Sequence, residues 1–410
     1  MTSATAAVRT VPRTAGRGGA TWNLVLATTA STVCFWAWAL IAPLAPAYKE
    51  ELGLSAVRTS VLIAVPVLVG ALGRIVVGAL TDRYGGRVMF AVVTLSTVLP
   101  VLFLSRVSSY GLLVLGGFVL GVGGTGFAVG VPHCNAWFPP ARRGFALGVF
   151  GAGMGGTAIS AFFTPRIASA LGREWAFYLP AIALVVVGLL CLLTMRGAPT
   201  WTPSTQSLGQ KFGTALRLPI TWQLSALYAV VFGGYVALAN YLPTYLRTAY
   251  DLSVTDAATR MAGFVVLAVI ARPIGGALSD RYGGVPVLVA SLGVISAFAV
   301  LAAFEGPLLP WGTIAFLSLA AGVGAGSGAA FALLATLTPA HHVGAVTGLV
   351  GACGGLGGFF PPLLMGAIYQ GTGSYAIGLM LLSDVALGAL VFARTAAGMR
   401  GPSSLSSEPR

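Results

Sequence analysis

Long apolar runs closed by short polar breaks recur along almost the whole chain. Runs able to cross about 30 Å of hydrocarbon fall at roughly 22–47, 58–80, 88–105, 110–132, 143–166 and 174–195. They resume at roughly 220–247, 257–278, 285–303, 311–337, 342–369 and 374–396. The pattern predicts twelve membrane-spanning helices, counted here from first to twelfth. The one sizeable polar break, Arg196 to Arg217, holds Pro, Thr, Ser, Gln and Lys and divides the runs into two sets of six. The expected organisation is a basic tail at 1–21, a six-helix half at 22–195, a linker at 196–219, a second six-helix half at 220–396 and a disordered tail at 397–410. The fold class is all-α, polytopic and pseudo-symmetric.

Composition narrows the class. Of 410 residues, 57% are hydrophobic and 8% charged, against about a quarter charged in a typical globular chain. This excludes a soluble enzyme, a nucleic-acid-binding domain and a disordered chain. The net charge of +13 is a matter of topology. With both termini cytoplasmic, 14 of the 23 Lys and Arg residues fall inside, seven outside, and Arg74 and Arg272 within spans. That bias follows the positive-inside rule and predicts a plasma-membrane protein facing the anionic inner leaflet. The first 20 residues carry Arg9, Arg13 and Arg17 without an apolar core, so no secretory signal is read there. Cys34, Cys134, Cys191 and Cys353 lie in or beside apolar runs, and His133, His341 and His342 show no zinc spacing. No metal, cofactor or nucleophile–base set is expected, and hence no enzyme.

The halves repeat each other. The stretch Gly73 to Gly86 matches Ala271 to Gly284 at an offset of 198, sharing Gly-Ala-Leu-x-Asp-Arg-Tyr-Gly-Gly. Gly144, Gly148, Gly151 and Gly155 match Gly344, Gly348, Gly351 and Gly355 at an offset of 200. A duplicated six-helix unit around a central path is expected of secondary transporters. Gly78, Asp82, Arg83, Gly85 and Arg87 form the pattern Gly-x-x-x-Asp-Arg-x-Gly-x-Arg, echoed at Gly276, Asp280, Arg281 and Gly283. It resembles the signature loop of the major facilitator superfamily. An Asp at a helix end can pair with a nearby Arg and cap helix donors, so Asp82, Arg83, Arg87, Asp280 and Arg281 are candidate gating residues.

Arg74 and Arg272 each precede a loop Asp by eight positions, about 12 Å along a helix, which places them near the membrane midplane. An arginine at that depth costs roughly 2.5–3.5 kcal/mol. Of the ten acids, only Asp384 falls within a span. Two guanidiniums with almost no carboxylate predict a small anionic substrate held bidentately between them, with Gly70 and Gly73 leaving room for it. The same shortage makes exchange of anions easier to argue than proton symport, with Asp384 keeping symport open.

Within the superfamily the chain resembles the nitrate/nitrite porter family. The resemblance is carried by Gly126-Phe-Ala-Val-Gly-Val-Pro, by Trp137 to Gly148, and by Gly344 to Pro362. It implies substrate arginines at Arg74 and Arg272, aromatic contacts at Phe127, Tyr228 and Phe232, and transport of nitrate and nitrite by alternating access. It also implies substrate-contact positions at Gly155 and Gly351, where family members carry Asn and can carry Ser and this chain departs by lacking the polar group. Thr157 and Thr347 stand near these positions as possible replacements. The alternative reading is a small mono- or dicarboxylate of the oxalate, formate or lactate type on the same fold. One such chain forms the path unaided, so a monomer is expected.

Overall fold

The computed structural model describes residues 17–199, 201–203, 208–339 and 342–395. Most of the N-terminal tail, and all of the C-terminal one, lies outside them. Among the described residues there are helices and turns but no strand. Hydrocarbon imposes this, because a helix satisfies its backbone donors and acceptors within one segment. Eleven of these helices are long and apolar enough to cross a membrane, among them Val61–Tyr84, Tyr110–Trp137, Pro140–Leu171, Pro219–Ala239, Thr259–Tyr282 and Leu308–Leu337. Their outer faces expose Leu99, Ile182, Leu193 and Val391, as a lipid-facing surface does.

The eleventh predicted span comes in two pieces, Val343–Gly357 and Phe360–Thr372. Pro361 and Pro362 lack the N–H groups that would continue the first piece's ladder, but fit the first turn of a new helix. Glycine loosens two further spans. Gly121–Thr125 winds as a 3-10 turn between Tyr110–Leu120 and Gly126–Trp137. Ala152–Gly155 does so between Arg143–Gly151 and Gly156–Leu171. The tenth span, also glycine-rich, runs unbroken as the α-helix Thr313–Leu337.

The linker is not all irregular. Leu208–Arg217 is a helix that packs against both the second and the eleventh spans. Ala215 is fully buried there, and its carbonyl accepts from Thr221 Oγ1 at 2.7 Å. Phe212, Ala215 and Leu216 fall at amphipathic spacing, a short signal that the surrounding polar composition hides.

The halves meet along two helix pairs, the second span on the eleventh and the eighth on the fifth. Glycine sets both distances. A Cβ at Gly348 would stand 2.5 Å from the Arg74 carbonyl oxygen and 3.0 Å from Ile75 Cα. One at Gly148 would stand 2.7 Å from the Arg272 carbonyl oxygen and would collide with Pro273 Cα. Gly78 lies backbone-to-backbone on Gly344, as Gly276 does on Gly144. Small residues at helix crossings serve this close approach.

Candidate functional site

Each helix pair is a ladder of matched rungs. On the second span the rungs are Asp82, Gly78 and Arg74, facing Gly344, Gly348 and Gly351 of the eleventh. On the eighth span Asp280, Gly276 and Arg272 face Gly144, Gly148 and Gly151 of the fifth. Spacing by three and four keeps each series on one helix face.

At one end the acids cap helices belonging to the other half. Asp82 Oδ1 accepts from the Gly344 N–H at 3.0 Å and Oδ2 from the Ala345 N–H at 3.2 Å. Asp280 accepts from the Gly144 and Phe145 N–H groups, both at 2.8 Å. Neither Val343–Gly357 nor Arg143–Gly151 is capped by a side chain of its own preceding residue. The first-turn N–H groups, which have no partner within a helix, thus receive a carboxylate across the interface, where the helix dipole favours negative charge.

The candidate gating arginines lie around these caps. Arg83 and Arg281 are exposed, with their guanidiniums over the rings of Tyr84 and Tyr282. Arg87 Nη2 donates to the Leu192 carbonyl at 3.2 Å. Gly85 and Gly283 of the loop pattern adopt φ of 81° and 88°, a region open to glycine at little cost.

Further along the ladders Arg74 and Arg272 are 3% and 2% exposed, so both charges are shut from solvent. Among the described residues neither forms an ion pair. Their surroundings differ. Arg74 Nε donates to the Gly124 carbonyl at 3.0 Å, and Nη1 to the Gly351 carbonyl at 3.1 Å. Arg272 Nη1 reaches Met154 Sδ at 3.2 Å and the Gly151 carbonyl at 3.5 Å, while Nε and Nη2 have no hydrogen-bond partner among the described residues. The 3-10 turn at Gly121–Thr125 explains the difference, since it brings a carbonyl to Arg74. The unbroken tenth span keeps its carbonyls within its own ladder.

The three aromatic residues expected from the sequence come together here. Tyr228 and Phe232 stack with centroids 4.8 Å apart and planes 4° apart. Arg74 and Arg272 each place a guanidinium over the Phe232 ring, at 5.7 and 5.4 Å. Arg74 also lies over Phe127 at 5.6 Å. Cation–π contact offsets part of the cost of burying the charges. Phe331, which the sequence reading missed, joins Phe127 and Tyr228 at 4.9 and 4.7 Å. It is the lone aromatic in the small-residue run from Gly322 to Ala335, and that isolation is the signal that marks it. Tyr235, also missed, lies 5.2 Å from the Arg272 guanidinium. Among the described residues the hydroxyls of Tyr228, Tyr235 and Thr347 are buried without a partner in full hydrogen-bond geometry, with Arg272 near the first and Thr157 near the second.

The expected glycine contacts divide. Gly351 lies against the Arg74 side chain, 3.2 Å from Cδ for an added Cβ. The matching contact on Arg272 is made by Gly151, whereas Gly155 faces Val269 at 3.6 Å. Thr157 donates to the Met154 carbonyl at 2.9 Å. Gly70 and Gly73 do not leave room for a ligand. Added Cβ atoms there would meet Trp38 Nε1 and Thr125 Cγ2, both at 2.8 Å, so these glycines admit Trp38 and the 3-10 turn of the fourth span. Asp384 is exposed on the outer surface of the bundle, away from this cluster. Among the described residues no group of three or more His, Cys, Asp or Glu side chains gathers as a metal site.

Comparison with known proteins agrees with this architecture. A family model described as Major Facilitator Superfamily matches residues 27–362 and 248–407. The chain is 50% identical over 386 residues to the "Probable nitrate/nitrite transporter NarK2" of Mycobacterium tuberculosis, covering 93% of this chain and 97% of that one. It is 36% identical over 357 residues to the "Nitrite extrusion protein" of Bacillus subtilis, covering 87% and 89%. In fold it is similar to the human organic anion transporter MFSD10, with a TM-score of 0.76 at 13% identity, covering 91% of this chain and 99% of that one.

Proposed function

The chain belongs to the Major Facilitator Superfamily, and we propose that it carries nitrate and nitrite across the membrane by alternating access. The observation that carries the reading is the buried, acid-free pair of guanidiniums. Charge taken out of water needs compensation, and a planar oxyanion between Arg74 and Arg272 supplies it. Arg272 offers the free Nε and Nη2 edge, a bidentate fork for two oxygens. Arg74 is held by two carbonyls and braces the other side. Phe127, Tyr228 and Phe232 give the anion flat walls.

The caps between the two halves act as latches that fit an alternating cycle. With Asp82 and Asp280 on their partner helices one end is closed, and their release lets the two halves part at that end. In the topology read from the sequence, fourteen of the 23 basic residues fall on the cytoplasmic side. We therefore assign the latched end and both termini to the cytoplasm, in a plasma membrane, with the path formed within one chain. Because the mid-membrane carboxyl of Asp384 faces outward, exchange of nitrate for nitrite is the mode the residues favour.

Reconstituted vesicles loaded with nitrite test this. Nitrate uptake is expected without a proton gradient and is lost in Arg74→Lys and Arg272→Lys, which keep charge but not the planar fork. Undiminished uptake in both variants overturns the clamp, and a requirement for a proton gradient overturns exchange.

A further inference from the structure

We infer that Thr347 is a further substrate-contacting, specificity-determining residue, a hydroxyl donor to the anion on the latch side of the arginine pair. This rests on the anion-transport reading above.

Thr347 is fully buried in the eleventh span, and its Oγ1 has no hydrogen-bond partner among the described residues. Among the described residues Ser31, Ser225 and Thr338 also bury a hydroxyl without a partner, but most threonines of the helices are satisfied. Thr28, Thr32, Thr81, Thr97, Thr194 and Thr336 each donate to the carbonyl one helical turn back. This is the ordinary way for a threonine hydroxyl to be satisfied in a membrane helix. Thr347 forgoes that bond although it sits within Val343–Gly357. A buried hydroxyl without a partner carries a desolvation cost, which a ligand oxygen removes.

Its position says which ligand. Gly351 is four residues on and receives Arg74 through its carbonyl. Gly354 is seven residues on, and an added Cβ there would collide with the Tyr228 ring. Spacings of four and seven put Thr347, Gly351 and Gly354 on one helix stripe, the stripe that faces Arg74 and Tyr228. Thr347 lies one turn, about 5.4 Å, from Gly351 toward Gly344, where Asp82 caps the helix. An anion moving from the guanidiniums to the latched end passes this hydroxyl first. At the repeat-equivalent position, offset by 200, the fifth span carries Leu147. The polar contact therefore stands on one wall only.

The donor is the Thr347 O–H and the acceptor an oxygen of the oxyanion, with no bond broken. Thr347→Val keeps the shape and removes the donor, Thr347→Ala removes donor and bulk, and Thr347→Ser keeps the donor. Purified wild type and variants are compared for nitrate affinity by calorimetry, and for KM, maximal rate and melting temperature in nitrate–nitrite counterflow. A hydrogen bond to a charged acceptor predicts about tenfold weaker affinity and higher KM in both Val and Ala. Maximal rate and melting temperature are then little changed in Val, and Ser stays within about twofold of wild type. Wild-type affinity in Val and Ala overturns the inference, and so does a Ser variant as impaired as Val, which marks a packing role. A wild type that binds no nitrate overturns the parent reading of the site; a wild type that binds it beside an unaffected Val overturns only the role of Thr347.

Discussion

Arg74 and Arg272 occupy matching registers in two copies of one motif, yet one spends its donors on backbone carbonyls and the other keeps two free. The sequence places both arginines but does not distinguish them, because the distinction comes from backbone geometry in a neighbouring span. The Gly124 carbonyl was hidden for the same reason, because a carbonyl presented by a 3-10 turn leaves no side-chain signature. Gly155 tests the reading at this scale. An added Cβ meets only ordinary contact with Val269, so the position tolerates a side chain, and Gly155→Asn adds there the amide that the resembled family carries. Several-fold tighter nitrate binding is expected, at about 1 kcal/mol per added hydrogen bond, and a titration of nitrate affinity checks it. Asp384→Leu is expected to leave counterflow unchanged, since the side chain faces outward from the bundle. Abolished counterflow in that variant would place the carboxyl in the transport cycle.

Among elements, the fifth and eleventh spans matter most, since each is capped by the other half. Their glycines were legible as close-packing faces, and the second and eighth spans as carriers of an acid and an arginine. The partnering was not legible, because a pattern on one helix does not say which helix receives it. Nor were the 3-10 turns and the break before Pro361, since glycine's weak helix preference leaves that choice to tertiary contacts. Gly344→Ala would push a methyl into the Asp82 carboxylate and the Gly78 carbonyl oxygen. Overpacking of that kind costs about 1–3 kcal/mol, here set against the closed end alone. Gly144→Ala, against Asp280 and Gly276, is expected to act alike. Both should populate the state open at the latched end, read as faster thiol labelling of Leu147→Cys, a site 3% exposed in the closed form. Asp82→Asn keeps the shape but exchanges one acceptor for a donor, and the same labelling should rise there too.

On the scale of the molecule, hydropathy alone conveys the helix count, and the repeat conveys the pseudo-symmetry, because both are written as periodic residue types. The rungs across the interface hold the halves together independently of the covalent link. Residues 1–205 and 206–410, expressed as separate chains, are therefore expected to co-purify on a tag carried by one of them. The double variant Asp82→Asn, Asp280→Asn should lower the recovered partner, by an amount read from the stained gel.

The crossing caps have the form of an isologous contact, in which a residue of one unit meets a residue of the second and receives the reciprocal contact in return. A twofold dimer of identical six-helix units would make both caps just as well. Such a dimer, however, would have to treat its two central arginines alike: either both would be braced by a turn of the fourth span, or neither would. Joining two copies in one chain lifts that constraint. The broken helix at Gly121–Thr125 and the unbroken one at Thr313–Leu337 mark where the copies have diverged to use it.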